Sequence, residues 1–485
     1  MNEVSKTPSV KKNYAYNLSY QILSLLTPFI TAPYVSRVLG ADGIGIYSYT
    51  SSIMAYFQMF AILGTTNYGI REIARLRDDK EAMSKTFWEI VILVSLTTSI
   101  CLVCWLFFSF TSEFYRFFFL ALTPLLLSSA FDISWFYTGI EKMGYTVVMN
   151  SICKLIGIIS LFVFVHEKDD LLIYILLNSV ISLLGNISMW SYLPKLVCKV
   201  PISKIRLKKH IKESMVYFII TIAISLYTVL DKVLIGIITN DNYQNGYYEQ
   251  ANKIINIAKT ISFTSLNFVM GARISYLFAH NNISEIHKRI DQSTNFIFFL
   301  GFGCIFGICS ISDNFVPVFF GPGYEPVINM LYLMSPLIFF ISLSTCLGSH
   351  YYIPAGKIKK STKMTIQGSI INLIANCLLI PIFGAKGAVI GSLIGEGIIA
   401  IMYCYSAKEY LPLRLIIRNS YKKIIAGCAM FIIATTISLF SEQSHIKTLS
   451  IQIPICMFVY LLLLYIMKDM TIFQIINMLK LWKRK

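Results

Sequence analysis

The stretch TFWEIVILVSLTTSICLVCWLFFSFTS, residues Thr86–Ser112, sets the class of this chain. It contains a single charged residue, Glu89, and it exceeds the roughly 20 residues that cross a bilayer core at about 1.5 Å rise per residue. Further apolar runs of this kind lie on both sides of it. The complete set comprises fourteen runs, at 14–36, 44–70, 86–112, 117–138, 146–165, 171–193, 214–238, 254–279, 293–312, 326–347, 364–382, 387–407, 424–440 and 449–467. The sequence predicts an all-α integral membrane protein with 14 transmembrane helices.

Basic residues separate the two sides of this predicted bundle. With the N-terminus placed in the cytoplasm, the termini and the connections on that side hold 32 Lys and Arg residues. The opposite side holds six, at Arg37, Arg116, Lys168, Lys253, Lys386 and Lys447. Cytoplasmic loops are enriched in Lys and Arg. We therefore expect both termini to be cytoplasmic in a multi-pass protein of the bacterial plasma membrane, with its net charge of +17 facing anionic membrane lipids.

Composition excludes several classes of function. A chain with 56% hydrophobic and 14% charged residues has no soluble domain that could hold a nucleic acid. The short outer loops leave no room for an extramembrane catalytic region. The sequence also lacks a phosphate-binding loop, an HExxH motif and a plausible catalytic triad. We expect a protein that is not an enzyme and that needs neither cofactor nor metal.

The longest inner connection, residues 194–213, divides the chain. It reads PKLVCKVPISKIRLKKHIKE, with seven Lys or Arg against one acid. We expect a basic cytoplasmic linker between the halves of a transporter, lying on the headgroup surface. The predicted organisation is an N-lobe of helices 1–6 (1–193), this linker (194–213), a C-lobe of helices 7–12 (214–408), helices 13–14 (409–468) and a basic amphipathic tail (469–485).

Charged residues inside the predicted spans are the candidate functional residues. They are Glu89, Asp132, Lys154, Asp231, Lys232, Lys259, Arg273 and Glu396. Eight charges facing lipid would cost on the order of 20 kcal/mol at roughly 2.5–3.5 kcal/mol each, so most must face protein or water. Cations in a wet cavity suit a phosphate-bearing headgroup, whereas acids suit a coupling cation. The two signs are equally represented, and the count alone does not decide the substrate.

We assign the residues as follows. The candidate substrate-binding residues are Lys154, Lys232, Arg273 and Arg37, and the candidate ion-coupling residues are Asp132, Asp231 and Glu396. Some have a simpler interpretation: Arg273 and Lys259 could snorkel to the interface, and Arg37 could be an interfacial anchor. Glu396, between two glycines, is either a hydrogen-bonded acid at a close helix crossing or a coupling site. Glu89 suits an interfacial role.

Five segments resemble one family. They are TAPYVSRVLGADGIGIYSYTSSI (Thr31–Ile53), NYGIREIARLRDDKEAMSKTFWEI (Asn67–Ile90), FDISWFYTGIEKM (Phe131–Met143), LDKVLIG (Leu230–Gly236) and YYIPAGKIKKST (Tyr351–Thr362). The chain resembles the Wzx-type flippases of O-antigen, capsule and exopolysaccharide repeat units, in the polysaccharide-transport branch of the multidrug/oligosaccharidyl-lipid/polysaccharide (MOP) exporter superfamily. Relatives often carry proline before the arginine of the eighth span, whereas this chain has Gly271 and Ala272. A helix break at Arg273 is therefore in doubt.

The resemblance implies a fold and a substrate. The fold is a MATE-like V of two six-helix lobes around a cationic central cavity, with two additional C-terminal helices. The substrate is an undecaprenyl-pyrophosphate-linked oligosaccharide, moved from the inner to the outer leaflet. A polysaccharide polymerase and glycosyltransferases are candidate partners. Three alternatives stay open: a cation-coupled multidrug exporter of the same superfamily, a lipid II flippase, and a membrane scaffold for glycosyltransferases.

Overall fold

The computed structural model describes residues 10–201, 203, 205–280, 282–441 and 444–475. Side chains are described for these residues except 10–15, 17, 220, 223, 226–228 and 263–272. The chain divides into two compact units, Met1–Val233 and Leu234–Lys485. The linker predicted at 194–213 therefore belongs to the first unit by its contacts. The lobe boundaries inferred from the sequence stay a prediction.

The first unit is built from helices α1 to α9 and the start of α10. Their bounds are α1 Val10–Ile62, α2 Thr65–Leu76, α3 Lys80–Ser109, α4 Arg116–Ala121, α5 Thr123–Phe131, α6 Ser134–Gly139, α7 Met143–Phe164, α8 Leu171–Ser188, α9 Leu207–Thr228 and α10 Leu230–Thr239. Aromatic side chains from α2, α3 and α6 form a buried hydrophobic cluster of this unit, in which Phe87 packs against Trp135 and Phe136.

The second unit is built from the rest of α10 and from eight further helices. Their bounds are α11 Asn242–Ala279, α12 Ile283–Phe319, α13 Glu325–Met334, α14 Pro336–Leu347, α15 Ile358–Phe383, α16 Ala385–Ser406, α17 Leu413–Phe440 and α18 His445–Ile466. A π-helical turn, Gly348–Tyr352, follows α14 and buries His350 among aromatic residues. Large apolar side chains cover the exterior of both units, as expected of helices surrounded by lipid.

The described residues contain 11 helical stretches that are long and apolar enough to cross a membrane. The first, Leu18–Leu76, has 59 residues. At 1.5 Å per residue it would be about 90 Å long, which is far more than the roughly 30 Å of a bilayer core. It therefore holds more than one crossing. The protein is a multi-pass, all-α membrane protein, and the number of fourteen spans stays a prediction.

The connection between the first two apolar runs is much shorter than the sequence suggested. The runs at 14–36 and 44–70 left residues 37–43 between them, but these residues are helical on both sides of Gly40. Gly40 has φ 69° and ψ 176°, a combination that is essentially restricted to glycine. The chain therefore changes direction at one residue, and the polar positions around it sit on helix ends.

The predicted fourth span is interrupted at Asp132 and Ile133, between α5 and α6. The carbonyls of Phe131 and Asp132 accept hydrogen bonds from the indoles of Trp190 and Trp135, at 2.9 and 3.0 Å. The Asp132 carboxylate accepts the amide N–H of Ser134 at 2.9 Å. Backbone groups freed inside a membrane must be paired within the protein. The two tryptophans and Asp132 meet that requirement, which makes the break a stable feature.

The predicted seventh span is interrupted too. Helix α9 ends at Thr228, Val229 is not helical, and α10 begins at Leu230. Asp231 and Lys232 therefore lie in the first turn of a new helix rather than in the middle of a continuous one. In contrast, α11 runs without a break through Arg273, which answers the doubt raised by the missing proline.

Helices α15 and α16 approach closely along a glycine face. Gly387, Gly391 and Gly395 recur at every fourth residue of α16. A Cβ atom at Gly387 would overlap the backbone oxygen of Leu379, and one at Gly395 would lie 3.1 Å from that of Gly368. Small residues at such spacing let membrane helices pack backbone to backbone. The close helix crossing predicted next to Glu396 is present.

We expect Gly387→Ala to destabilise this helix pair. Its Cβ would meet backbone atoms, which cannot rotate away, and overpacking of this kind costs about 1–3 kcal/mol. Gly307→Ala on α12 is the matched control, because nothing lies within 4 Å of a Cβ built there. Thermal unfolding in detergent should show a lower midpoint for Gly387→Ala and an unchanged or higher one for Gly307→Ala. Equal midpoints would contradict the close approach.

Helices α17 and α18 pack against α12 and share a hydrophobic cluster with it. A cluster formed by α12, α17 and α18 includes Phe299, Met430 and Tyr460. Ile472, which lies in the predicted amphipathic tail (469–485), is buried in this cluster, and Ile475 packs against it. The remaining positions of the predicted amphipathic tail, beyond residue 475, lie outside the described residues. The start of the tail is therefore part of the helical core.

Candidate functional site

Lys154 lies on α7 and faces α1. Its Nζ donates a hydrogen bond to the Ser24 hydroxyl at 2.9 Å and lies 5.1 Å from the centre of the Tyr20 ring. The sequence predicted Lys154 to be inside a span and turned away from lipid, and its side chain is half-buried. Tyr20, Ser24, Thr27 and Thr31 share one face of α1, at intervals of three or four residues. A polar stripe on α1 thus runs beside the Lys154 cation.

A cavity of about 170 Å³ adjoins this stripe, between α1, α7 and α8. We call it the Lys154 cavity. Its polar lining comes from the side chains of Thr27, Thr31, Lys154, Tyr174 and Asn178. Among the described residues that line it, Lys154 is the one charged side chain, and no carboxylate is present. The cavity is therefore positive, and it lies wholly within the first unit.

Asp231 and Lys232 occupy neighbouring positions on α10 but differ in environment. The Asp231 side chain is 2% exposed, whereas Lys232 is half-buried. The Tyr56 hydroxyl interacts electrostatically with Asp231 and lies 3.4 Å from the carbonyl oxygen of Ser225. A second cavity of about 230 Å³, lined by Tyr56, Ser225 and Val229 among others, opens at the break before α10. Consecutive helical residues point about 100° apart, which accounts for the difference in burial.

The two arginines among the candidate binding residues are exposed. Arg37 lies one turn before the kink at Gly40. The guanidinium of Arg273 lies 5.4 Å from the centre of the Tyr276 ring, one turn further along α11. A guanidinium at this distance from an aromatic ring is attracted to its face. Both Arg37 and Arg273 are therefore compatible with substrate binding and with an interfacial position.

The candidate coupling acids have unlike surroundings. Asp132 is the helix cap described above, a structural task that the sequence did not reveal. Glu396 on α16 is 7% exposed and interacts electrostatically with Lys259 on α11. Both residues were candidates, but the sequence did not predict that the charge of Glu396 acts on Lys259. A buried acid with a cation beside it is the arrangement expected inside a membrane.

One loop that carries the family resemblance contains a lysine that binds a tyrosine of the same loop. Lys357 Nζ donates to the Tyr351 hydroxyl at 2.6 Å and lies 4.9 Å from the centre of that ring. This hydrogen bond raises the pKa of Lys357, so its charge persists at any physiological pH. The loop YYIPAGKIKKST therefore presents a permanent cation next to the exposed Lys359 and Lys360.

Two buried polar clusters were missed by the sequence reasoning. In the first unit, His210 Nε2 and Glu89 Oε2 are 2.7 Å apart, and His210 Nδ1 is 2.7 Å from the Tyr68 hydroxyl. His210 had been assigned to a surface linker. In the second unit, the Lys423 and Asp469 side chains are paired at 2.8 Å, although Lys423 had been counted as a cytoplasmic loop residue. A periodicity argument does not find such pairs, because each partner lies at the polar end of a span.

The comparisons with known proteins decide the family. Residues 10–270, more than half of the chain, match the family described as "Polysaccharide biosynthesis protein". The chain belongs to this family. Membership in the polysaccharide biosynthesis family confirms the resemblance to Wzx-type flippases of the MOP superfamily that the five sequence segments carry.

Two curated relatives match most of the chain. A protein of Escherichia coli (strain K12) is 26% identical over 394 residues, which cover 80% of this chain and 94% of the relative. A protein of Shigella dysenteriae is 27% identical over 418 residues, which cover 82% and 100%. Both carry the name "Putative O-antigen transporter". The chain is thus similar to nearly the whole length of both proteins.

Solved structures show the same fold. The structure titled "Lipid II flippase MurJ, inward closed conformation" matches with a TM-score of 0.74 at 16% identity, covering 94% of this chain and 98% of that chain. An inward-facing multidrug resistance MATE family transporter of the MOP superfamily matches with a TM-score of 0.60 at 10% identity, covering 86% and 96%. At these identities the likeness concerns the fold alone. It confirms a helical membrane fold of the MOP type.

Proposed function

We propose that the chain is a flippase that moves undecaprenyl-pyrophosphate-linked oligosaccharide repeat units from the inner to the outer leaflet of the bacterial cytoplasmic membrane. It would do so by alternating access, with both termini in the cytoplasm. Family membership and relatives named as O-antigen transporters support a lipid-linked polysaccharide as the transported class. The observation that carries the proposal is the Lys154 cavity, a positive site at the level of the membrane spans without a lining carboxylate.

The charge of the substrate suits the positions of the cations. In this proposal Lys154 and Lys232 bind the phosphate groups within the spans, while Arg37 and Arg273 attract them from exposed positions. Ammonium and guanidinium groups form charge-assisted hydrogen bonds with phosphate oxygens. An anion that moves outward across a membrane with an inside-negative potential gains about 2.3 kcal/mol per charge per 100 mV. The membrane potential would thus favour export.

Proton or sodium counter-movement is the proposed source of further driving force. Asp132, Asp231 and Glu396 are the proposed coupling residues. Asp231 and Glu396 are both buried, and a buried acid that exchanges a cation during transport could link a gradient to substrate movement. Transport in vesicles that is insensitive to both proton and sodium gradients would remove coupling from the proposal and leave the flippase function standing.

Deletion of the gene tests the function directly. Mass spectrometry of the undecaprenyl-linked intermediates should show accumulation of the complete lipid-linked repeat unit in cells that still grow but lack the surface polymer. Loss of growth would point to lipid II as the substrate instead. Unchanged intermediates with unchanged polymer would refute the proposal. Reconstitution without lipid movement would favour a scaffold for glycosyltransferases.

We predict that the double substitution Lys154→Met/Lys232→Met abolishes export of the surface polymer. Each substitution removes a charge-assisted hydrogen bond to the headgroup that contributes about 1.5–3 kcal/mol. The double variant should therefore bind the headgroup more than about a hundredfold less tightly. The matched control is Lys359→Met/Lys360→Met, which removes two exposed loop cations. Polymer on the cell surface is measured together with drug resistance, which should not change. Lost drug resistance with intact polymer would favour a multidrug exporter.

A further inference from the structure

The Lys154 cavity contains a cation without a counter-ion among the described residues that line it. Lys154 has neutral partners, the Ser24 hydroxyl and the Tyr20 ring, and the other lining side chains are hydroxyl, amide, thiol and apolar groups. A half-buried charge of this kind is costly unless an anion neutralises it. The cavity is thus suited to an anionic group and unsuited to a cation.

Its size limits what that group can be. An engineered cavity of about 150 Å³ accommodates benzene, and the Lys154 cavity measures about 170 Å³. A phosphate group is smaller than benzene and fits. A hexose, with its ring and exocyclic oxygens, is too large. The cavity therefore selects for a phosphoryl group and leaves any attached sugar outside.

The neutral lining can complete the coordination of such a group. Thr27 and Thr31 donate to carbonyl oxygens of their own helix, at 2.7 and 3.0 Å, and Asn178 donates to the carbonyl of Tyr174 at 2.8 Å. Bonds of a side chain to its own helix are local and can be exchanged by a rotation of χ1. A phosphate would thus meet Lys154 and two or three further donors without a change of backbone.

The surroundings of the cavity suit a lipid carrier. Leu155, Ile156 and Ile159 follow Lys154 on α7, do not line the cavity, and are 49%, 50% and 62% exposed. Large apolar side chains exposed on a membrane helix present a surface that hydrocarbon chains cover. The cation is therefore placed where a phosphoryl group can enter while its apolar chain remains on α7.

We propose that the Lys154 cavity is a subsite for a single phosphoryl group at the end of a polyprenyl lipid, and that the sugar chain lies outside it. This proposal rests on the proposed flippase function and assigns one part of its substrate to one place in the first unit. Lys154 is the specificity-determining cation of this subsite. The α7 surface takes the hydrocarbon chain.

Binding to the purified full-length protein in phosphatidylcholine nanodiscs tests the subsite. Native mass spectrometry compares three probes: undecaprenyl phosphate, undecaprenol and inorganic phosphate. We expect undecaprenyl phosphate to bind at least tenfold more tightly than either of the other two. Undecaprenol binding equally well would overturn recognition of the phosphoryl group. If inorganic phosphate bound equally well, the claim that the phosphoryl group belongs to a lipid would be overturned.

Three substitutions locate the binding. Lys154→Met should weaken undecaprenyl phosphate binding at least tenfold, whereas Lys154→Arg should weaken it only slightly. Gly157→Val keeps the cation but fills the cavity, and a Cβ there makes only ordinary contacts with Ile181, at 3.5 Å and beyond. It should weaken binding as well. Lys195→Met, which removes an exposed lysine of the same unit, is the control and should bind like the unaltered protein.

The outcomes separate this proposal from the proposed function. Unaltered binding by both Lys154→Met and Gly157→Val would place the phosphoryl group elsewhere, whatever the deletion strain accumulates. Thermal midpoints of the variants identify any that fail to fold, and Gly157→Val provides the answer if Lys154→Met is one of them. Absence of accumulated lipid-linked oligosaccharide in the deletion strain would refute the flippase function without touching the binding result.

Discussion

Replacing Lys423 with methionine is expected to destabilise the second unit by about 3–5 kcal/mol, the usual effect of removing one partner from a buried ion pair. The Lys423 side chain is fully buried. Its three N–H groups donate to Asn295 Oδ1, the Asn419 carbonyl and Asp469 Oδ2, at 2.6, 2.8 and 2.8 Å. The substitution keeps the length of the side chain but leaves the Asp469 carboxylate buried without a cation.

A thiol-reactive dye measures this effect where it occurs. Cys456 is a buried free thiol on α18, in the cluster of α12, α17 and α18, and becomes reactive only when these helices separate. Lys423→Met should lower the temperature at which Cys456 reacts by several degrees. Cys346, a buried free thiol on α14, reports on the remainder of the unit. If Cys456 reacts at a lower temperature than Cys346, the cluster of α12, α17 and α18 opens before the rest of the unit.

Two further variants separate the charge effect from other causes. Lys423→Met/Asp469→Asn removes both charges and keeps an oxygen that can accept the N–H of Thr471, now 2.9 Å from Asp469 Oδ1. It should recover most of the lost stability, since neutral replacement of a buried pair is often tolerated. Lys422→Met removes the neighbouring cation, whose one described hydrogen bond is to the Lys468 carbonyl, and should change stability by less than about 1 kcal/mol. A double variant as unstable as the single one would contradict the ion-pair explanation.

Replacing Glu89 with alanine is expected to destabilise the first unit by about 3 kcal/mol or more. Glu89 accepts from His210 Nε2 at 2.7 Å and from the Arg206 amide at 2.8 Å, and the residues Glu89 and His210 are 4% and 3% exposed. Each buried donor left without an acceptor costs about 1–3 kcal/mol. Since Arg206 caps the start of α9, the substitution also releases that helix end from α3.

Trypsin reports this release directly, because the segment 194–213 contains seven Lys and Arg residues. Cleavage at Arg206, Lys208 and Lys209 should become faster in Glu89→Ala, together with a lower thermal midpoint. Tyr68→Phe removes one hydroxyl from the same histidine and should cost about 1–2 kcal/mol. The double variant Glu89→Ala/Tyr68→Phe should lose less stability than the two single variants added together, since both residues act through His210.

The control for Glu89 lies on the same helix. Glu81→Ala removes an exposed acid from the first turn of α3 and should shift stability by at most about 1 kcal/mol. Cleavage and thermal midpoint in Glu89→Ala equal to those of Glu81→Ala would mean that the contact between α3 and α9 does not stabilise the first unit. A change in cleavage alone would locate the effect at the segment and not in the unit as a whole.

The sequence did not predict that His210 and Lys423 are buried, and the reason lies in the distribution of charge. His210 and Lys423 lie within basic segments that the distribution of charge assigns to the cytoplasmic side. That assignment concerns which side of the membrane a segment occupies, and it does not distinguish a solvated cation from a buried one. Glu89 and His210 are 121 positions apart in the chain. Only the packing of α3 against α9 brings them together.

For the candidate binding and coupling residues, too, the sequence predicted burial but did not predict the partners. The insertion cost of charges indicated that Lys154 and Glu396 must face protein or water, and both are at least half-buried. Their partners were not predictable, because Ser24 is 130 positions from Lys154 and Lys259 lies on another helix. The cap formed by Asp132 was missed because its span shows no interruption in hydrophobicity. An apolar run reveals the length of a span but not a break within it.

What the amino-acid sequence determined by itself is the class of the molecule: an all-α multi-pass membrane protein of the polysaccharide biosynthesis family. The membrane class follows from local composition, since runs of about 20 apolar residues prefer the bilayer wherever they occur, whereas the family rests on the match over residues 10–270. Only the tertiary structure decided where helices break, which charges are paired and where a cavity opens. Those features depend on contacts between residues distant in the chain, and Lys154 acquires its cavity only because α1, α7 and α8 pack around it.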